Sequence, residues 1–600
     1  MPNLFAMSFE GMLAPSFDLR CLEKGRGLLP DGWGIGYYPA GEPSAPVLKE
    51  PAPTHGSLRG ELVKAWDHLE SSLFVLHIRS ATWGQNTLAN TQPFVRSLAG
   101  RDWLIAHSGS LRERFELSAT GLDMVATPRF EPVGATDTEL IFCELLNRAA
   151  DLGYRSIGDI PADLLCAWLD ELNDHGSMST VLTDGHDLVV YADRRGDGAM
   201  HIWQMLPPYG EVIVGDDDLT IDLTQRGIKS RKGVLISSSP LLPHSDIDAK
   251  WEAVPPGEML VIRQGAIRAR VRGVKRDQPS KISALGIKIL RPAVAEPHTY
   301  NVTHRTTYTY NKPIERSSHV FRLTPMIDRQ QALLSHKVEV SVDGQEREYE
   351  DVFGNRVRGL LIETPFTELS IVSRSRVYVS DTDPLVSYGA VHSRHALPMV
   401  WMPWQRQILQ PYLLPTELPH TQLAELSEYA MSFVERNDYD LVDTLLDLNR
   451  TIFTEYEYVQ GVTTVHTTAF DTYVKRRGVC QDFAELLITL ARLLSVPARY
   501  VCGYVHPGAA VQNIEQAQAS HAWVQVYLPE VGWRGLDPTN GVVTQTEHIR
   551  VAVGRNYIDT TPTAGTIYVG GGDETLEVDV RVESVPNEPP RESGRLPSTG

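Results

Sequence analysis

The chain has 600 residues, too many for a single hydrophobic core at about 100–200 residues per domain, so three or four units are expected. Its 42% hydrophobic and 22% charged residues match a folded globular protein and exclude a disordered or fibrous one. The balance of 56 Lys+Arg against 75 Asp+Glu gives a net charge of −19, which repels phosphate backbones and anionic lipid, so neither nucleic acid nor a membrane is expected as a partner.

From Met1 to Arg272 short apolar runs, such as Leu73 to Ile78 and Trp103 to Ala106, alternate with helical spacing at Leu140, Leu145, Leu146 and again over Leu164 to Leu172. The pattern is α+β. It closes on a predicted hairpin, Met259 to Ile262 and Ala266 to Val271, turned at Gln264-Gly265. The opening MPNLFAMSFEGML has neither the basic start nor the apolar run of a secretory leader, and no later stretch reaches the roughly 18 apolar residues that span a bilayer. The five cysteines, Cys21, Cys143, Cys166, Cys480 and Cys502, are scattered and odd in number, which argues against disulfides and for a cytoplasmic location. No cysteine or histidine spacing suits a metal, so no metal or other cofactor is expected.

Residues 273–297 mix Lys, Arg, Pro and Ser without periodicity and read as a linker, so the first domain is placed at 1–272. Over 298–385 the pattern turns to strand alternation, as in Thr303, Arg305, Thr307 and Thr309 and again in Val338, Val340 and Val342, which predicts a small β-sandwich. A catalytic domain is placed at 386–584: a Pro- and aromatic-rich stretch, 386–419, that wraps a surface, then helices over Leu423 to Val434 and Leu441 to Phe453. The Pro- and Glu-rich residues 585–600 read as a disordered tail ending in LPSTG, without the apolar and basic segments of a wall-sorting signal.

Within that domain Cys480 precedes Phe483, Leu486, Leu487, Leu490, Ala491 and Leu494, one face of a helix that Pro497 ends. Cys480 thus falls in the first turn, where unpaired N–H groups lower a thiol pKa. His521 to Leu528 alternates as a strand, and Trp533 to Leu536 returns toward Asp537. A hairpin brings His521 and Asp537 together only in one register, because a one-residue slip sends the two side chains to opposite faces. Cysteine, histidine and an orienting carboxylate are the parts of nucleophilic acyl transfer.

The stretches Arg477 to Ala484, Ser520 to Val524, Gly532-Trp533 and Asp537 to Gly541 resemble the three catalytic blocks of bacterial transglutaminase-like proteins. Tyr300 to Val379, with Asp351-Val352-Phe353-Gly354-Asn355, is similar to their N-terminal β-domain. The resemblance implies a papain-like α+β core with Cys480 as nucleophile, His521 as base and Asp537 as orienting acid. It also implies acyl transfer through a thioester, to water or to an amine, from a protein, peptide or small amide. A peptide-ligase partner of the ATP-grasp type would suit such a protein. Tyr456 and Tyr458 are candidate oxyanion donors or core aromatics.

Leu4 to Ser8, Asp31 to Gly36, His77-Ile78-Arg79, Ala106 to Gly109 and Thr136 to Glu139 resemble, in order, the blocks of class II glutamine amidotransferases. That implies an N-terminal-nucleophile αββα sandwich, with Arg79 on the glutamine carboxylate, Asp137 on its ammonium, Ser108 at the oxyanion position and Gly109 beside it among the glutamine-binding residues. The family's nucleophilic cysteine follows the initiator methionine, and here that position is Pro2; its oxyanion asparagine is here Ser108. The domain therefore reads as degenerate, without glutamine hydrolysis and retaining at most a pocket for an α-amino acid or γ-glutamyl group. The alternatives to a cysteine acyltransferase are an active glutamine amidotransferase, which Pro2 opposes, and a silent binding scaffold, which the intact cysteine set opposes.

Overall fold

The computed structural model describes residues 3–24, 28–65, 69–81, 85–111, 129–223, 231–244, 249–272, 296–380, 396–460, 467–506, 520–529 and 531–586. Pro2, most of the expected linker and the tail from 587 lie outside them. The chain divides into two compact units, Met1–Lys288 and Ile289–Gly600.

In the first unit β1 (Leu4–Leu13) pairs antiparallel with β2 (Ser71–Arg79) inside a seven-stranded sheet, and β3 (Arg101–Leu111) belongs to a six-stranded one. Strand side chains alternate between faces, so Leu4 and Ala6 pack with Leu104 and Ala106 between the sheets while Phe5, Met7 and Phe9 fill a second core behind β1. A strand covered on both faces needs such an unbroken apolar run. α1 (Asp137–Asp151) and α2 (Ala162–Asn173) cover the outer face of the six-stranded sheet through Ile141, Leu145 and Leu169. Over the outer face of the seven-stranded sheet, the described residues place the short helix Leu58–Ala65 and a four-stranded sheet carrying Phe17, Val214 and Ile221. The fold is thus an αββα sandwich whose second outer layer is partly made of strands. The predicted hairpin forms, with Gln264 at φ 49 and Gly265 at φ 67, the two positive values of a type I′ turn.

In the second unit β4 (His298–Phe321) runs for 24 residues. β5 (Arg356–Ile362) and β6 (Phe366–Val379) pair with its second and first halves, and its ladder to β6 shifts register between Thr309 and Ile314, around Pro313, which has no N–H to donate. Its other side is taken by Thr563–Gly570 and Glu574–Val585. The β-rich region expected over 298–385 is thus a seven-stranded antiparallel sheet, completed by residues 563–585, which the sequence pattern placed in the catalytic domain up to 584 and in the tail at 585. Likewise, part of the surface-wrapping stretch is a helix, Pro403–Leu413.

The expected helices form as His420–Arg436 and Leu441–Glu455, followed by α3 (Cys480–Leu493). Phe483, Leu486, Leu487 and Leu490 of α3 pack on Ala498, Tyr500, Val524 and Val526. These belong to β7 (Ala498–Val505) and β8 (His521–Leu528), which with β9 (Gly532–Asp537), β10 (His548–Gly554) and the short Val542–Val543 make a five-stranded antiparallel sheet.

β10 is the edge of that sheet, and two amide side chains pair with its backbone. Gln331 accepts from Arg550 N–H and donates to Arg550 C=O, each at 2.8 Å; Asn355 does the same with Val553, again at 2.8 Å each. Asn355→Ala should leave two backbone groups of Val553 unpaired and cost roughly 1–3 kcal/mol, read as a lower urea midpoint. A loss below about 0.5 kcal/mol, the size of an ordinary surface change, would show that water replaces the amide.

Candidate active site

Val479 caps α3 in extended conformation, and its N–H donates to the Asp482 carboxylate at 2.8 Å, so the first turn is closed by an acid three residues in. The chain enters this turn along a parallel pairing of Arg477–Gly478 with Glu457–Tyr458. A Cβ on Gly478 would stand 2.8 Å from Asp482 Oδ2, so a larger residue there would displace the cap. Cys480 opens the helix half-buried, while the other four cysteines are buried; all five are free thiols.

β8 and β9 pair from Leu528↔Gly532 to Val524↔Leu536. Continued one step, this register sets Asp537 opposite Trp523 and on the same face as His521, two residues away along β8. His521 Nε2 lies 2.9 Å from Asp537 Oδ2, with the two residues only 2% and 0% exposed. That leaves His521 Nδ1 for Cys480, whose thiol is near enough to raise the imidazole's affinity for a proton. Asp537 is itself held: Oδ1 accepts from Thr539 N–H at 3.0 Å and Asn540 N–H at 3.3 Å, and Oδ2 accepts from Asn540 Nδ2 at 2.7 Å. Oδ2 also lies 3.0 Å from Nε2 of a second buried histidine, His548, at the start of β10. Sequence reasoning missed His548, because its approach depends on β10 joining the sheet beside β7.

Burial opposes a charge on His521, but the Asp537 carboxylate and then the Cys480 thiol outweigh it and lift the imidazole from 6.5 to about 10. Burial likewise opposes a charge on Asp537, yet His521 and then His548 hold its carboxyl far below the ordinary 3.8. A histidine raised on folding contributes stability that is complete below its unfolded value and fades as pH rises through the folded one. The advantage of the wild type over His521→Gln in melting temperature should therefore be full below about pH 6.5 and vanish toward about pH 10. An advantage that grows across this window would contradict the pairing.

His521, Asp537 and His548 also bring together, among the described residues, three side chains of types able to bind a cation, with donor atoms within 4.8 Å of one another. All three of those atoms are engaged in the hydrogen bonds above. The Tyr456 hydroxyl reaches the Tyr429 hydroxyl at 3.5 Å and its ring lies under the Arg476 guanidinium, while Tyr458 packs on Phe483, so both are core aromatics. Burial and the nearby Cys480 push the Cys502 thiol up to about 12.

In the first unit Arg79, buried at the end of β2, donates to Asn86 at 2.7 Å beside Asp31. Asp137, buried in the first turn of α1, accepts from Leu111 N–H and Thr138 N–H, each at 2.9 Å. Ser108 and Gly109 lie on β3 just before Leu111; Gly109 has φ +145 and sits so close to the next strand that a Cβ would meet Ser177 O at 2.2 Å. The strands thus join Ser108, Gly109 and Asp137 through Leu111, and join Arg79 to Asp31 and Asn86. The Pro2 position is outside the described residues.

Class-II glutamine amidotransferases match residues 1–284, the bacterial transglutaminase-like N-terminal region matches 300–378, and the transglutaminase-like superfamily matches 428–538. An uncharacterised protein of Mycobacterium leprae is 32% identical over 282 residues, 47% of this chain and 97% of its own. The chain joins a class-II glutamine amidotransferase domain to a transglutaminase-like one. Among solved structures, a predicted glutamine amidotransferase from Pseudomonas aeruginosa is 24% identical with a TM-score of 0.35, covering 44% of this chain and 99% of its own. The periplasmic domain of TgpA from the same organism is 14% identical with a TM-score of 0.22, covering 57% and 88%. The transglutaminase-like match takes in Cys480, His521 and Asp537 and stops before His548. The amidotransferase match spans Arg79, Ser108, Gly109 and Asp137. No helix among the described residues is long and apolar enough to cross a membrane.

Proposed function

We propose that the chain catalyses thiol-dependent acyl transfer or amide hydrolysis through a thioester on Cys480. One observation carries this reading: His521 Nε2 lies 2.9 Å from the buried Asp537 carboxylate, and the same imidazole interacts with the thiol of Cys480, the half-buried cysteine that opens α3. In the proposed reaction the Cys480 sulfur attacks the amide carbonyl carbon as His521 takes the thiol proton. The C–N bond then breaks and His521 returns the proton to the departing amine, leaving the acyl group on sulfur. Water completes hydrolysis, or a second amine completes transfer. Asp537 keeps the imidazole oriented and offsets its charge throughout. The reading places this reaction in the cytoplasm, on a protein, peptide or small amide, with a peptide ligase as a fitting partner. Incubating the full chain with lysate amides, quenching in acid and mapping adducts by mass spectrometry tests it. An acyl adduct on the peptide containing Cys480 is expected, and its absence at every time point would refute the thioester.

The amidotransferase domain is read as degenerate, because Pro2 offers no thiol and Ser108 replaces the oxyanion amide. Hydrogen bonds already made by Arg79 and Asp137 favour a structural use of both. The full-length Cys480→Ala chain should release no ammonia from glutamine, and release above the buffer rate would restore this domain as a glutaminase.

A further inference from the structure

His548 needs an explanation that the cysteine, histidine and aspartate alone do not provide. It is 4% exposed, and its Nε2 approaches the same carboxylate oxygen, Asp537 Oδ2, that His521 Nε2 approaches. Its Nδ1 is buried and makes no hydrogen bond among the described residues. A proton there would be an unsatisfied buried donor, so the ring carries its proton on Nε2, pointed at Asp537. The ring is fixed edge-on to Trp523, with centroids 5.2 Å apart and planes at 74°. Its strand is fixed in turn by the Gln331 and Asn355 amides on Arg550 and Val553 and by pairing of Val505 with His548 itself.

Orientation of Asp537 does not require this bond. The backbone of Thr539 and Asn540 secures Oδ1, and the Asn540 side chain already donates to Oδ2. What His548 adds is another donor on the one oxygen that faces the base, and each donor withdraws some of the negative charge that binds the imidazolium proton. This matters for a group that must both take and release a proton, since a base that binds it too firmly is a poor acid.

We propose that His548 is a positioning residue of the acyl-transfer site: its Nε2–H shares Asp537 Oδ2 with His521 and loosens that carboxylate's hold on the His521 proton, so that His521 can return it to the departing amine. The proposal rests on the thioester reading for its role in turnover, but the sharing of charge can be measured without turnover. Among the described residues, the titratable groups around His521 are Cys480 on α3, Asp537 on β9 and His548 on β10, with Cys502 on β7 beyond Cys480 and protonated to about 12.

The experiment follows the His521 ring by NMR in the full chain labelled with 15N-histidine, in a Cys480→Ala background. That background removes the thiol's influence and any dependence on activity, and the His521 signal is assigned by its loss in His521→Gln. His548→Leu should raise the His521 titration midpoint by about half to one pH unit, the effect of one lost hydrogen bond on the carboxylate. His548→Gln, whose amide nitrogen reaches the place of Nε2, should restore the original midpoint. His548→Asn, one methylene shorter, should behave like leucine. A midpoint unchanged or lowered in the leucine chain overturns the proposal. Should that chain fail to fold, equal midpoints in the glutamine and asparagine chains overturn it instead. A merely structural His548 would lower the melting temperature of all three without moving the midpoint.

Discussion

Replacing Cys480 with alanine should abolish acyl transfer by the full chain while leaving its melting temperature nearly unchanged. The sulfur is half-buried at the end of a helix whose stability comes from Phe483, Leu486, Leu487 and Leu490, so its loss removes little packing. The chemistry has no substitute for it, because the other four thiols are buried, and Cys480 is the thiol that interacts with His521. Removing a nucleophile of this kind costs on the order of 10^6 in kcat, leaving only the effect of substrate binding. Turnover measured on whichever amide yields the trapped adduct provides the check, with near-normal turnover in the alanine chain transferring the reaction to another site.

The second large effect separates the base from its acid. His521→Ala should cost about as much as Cys480→Ala, because the two act as one unit, and the double substitution should be no worse than either alone. Asp537→Asn should cost less, about 10^4 in kcat, since the acid orients the imidazole and offsets its charge without exchanging a proton with substrate. The asparagine keeps an oxygen able to accept from Thr539 and Asn540 N–H, so the loop after β9 should hold its shape. Losses of equal size for His521→Ala and Asp537→Asn would mean that Asp537 maintains the fold of the site, and a melting temperature reduced in step with activity would show the same thing.

The cysteine helix, the histidine strand and the returning aspartate were legible because each depends on neighbours in sequence. The face of α3 repeats every three to four residues, and Leu528↔Gly532 closes a short hairpin whose register carries His521 and Asp537 to one face. The same holds for the apolar run Leu73 to Ile78, which forms β2. What sequence left unread depends on distant pairings. Val505↔His548 lies across the sheet from the β8–β9 hairpin, and nothing within the stretch 545–550 indicates that its histidine will meet Asp537. Asn355 belongs to the stretch Asp351 to Asn355 that resembles the bacterial β-domain, but its partner Val553 is 198 residues away. Alternation over 298–385 shows that strands exist there and not how many partners each has, so the pairing of β4 with residues 563–585 stays hidden.

The return of residues 563–585 to β4 orders events during synthesis. As a nascent chain leaves the ribosome, β4, β5 and β6 emerge long before the segments that cover the other side of β4. Until the last of these is translated, β4 presents an unsatisfied edge over most of its 24 residues, the kind of template on which another copy can add a strand. The catalytic sheet lies between the two partners in the chain, so it must collapse while that edge is open. A chain ending just after Gly554 would thus contain all of Cys480, His521, Asp537 and His548 and still leave the β4 edge open to pairing with another copy.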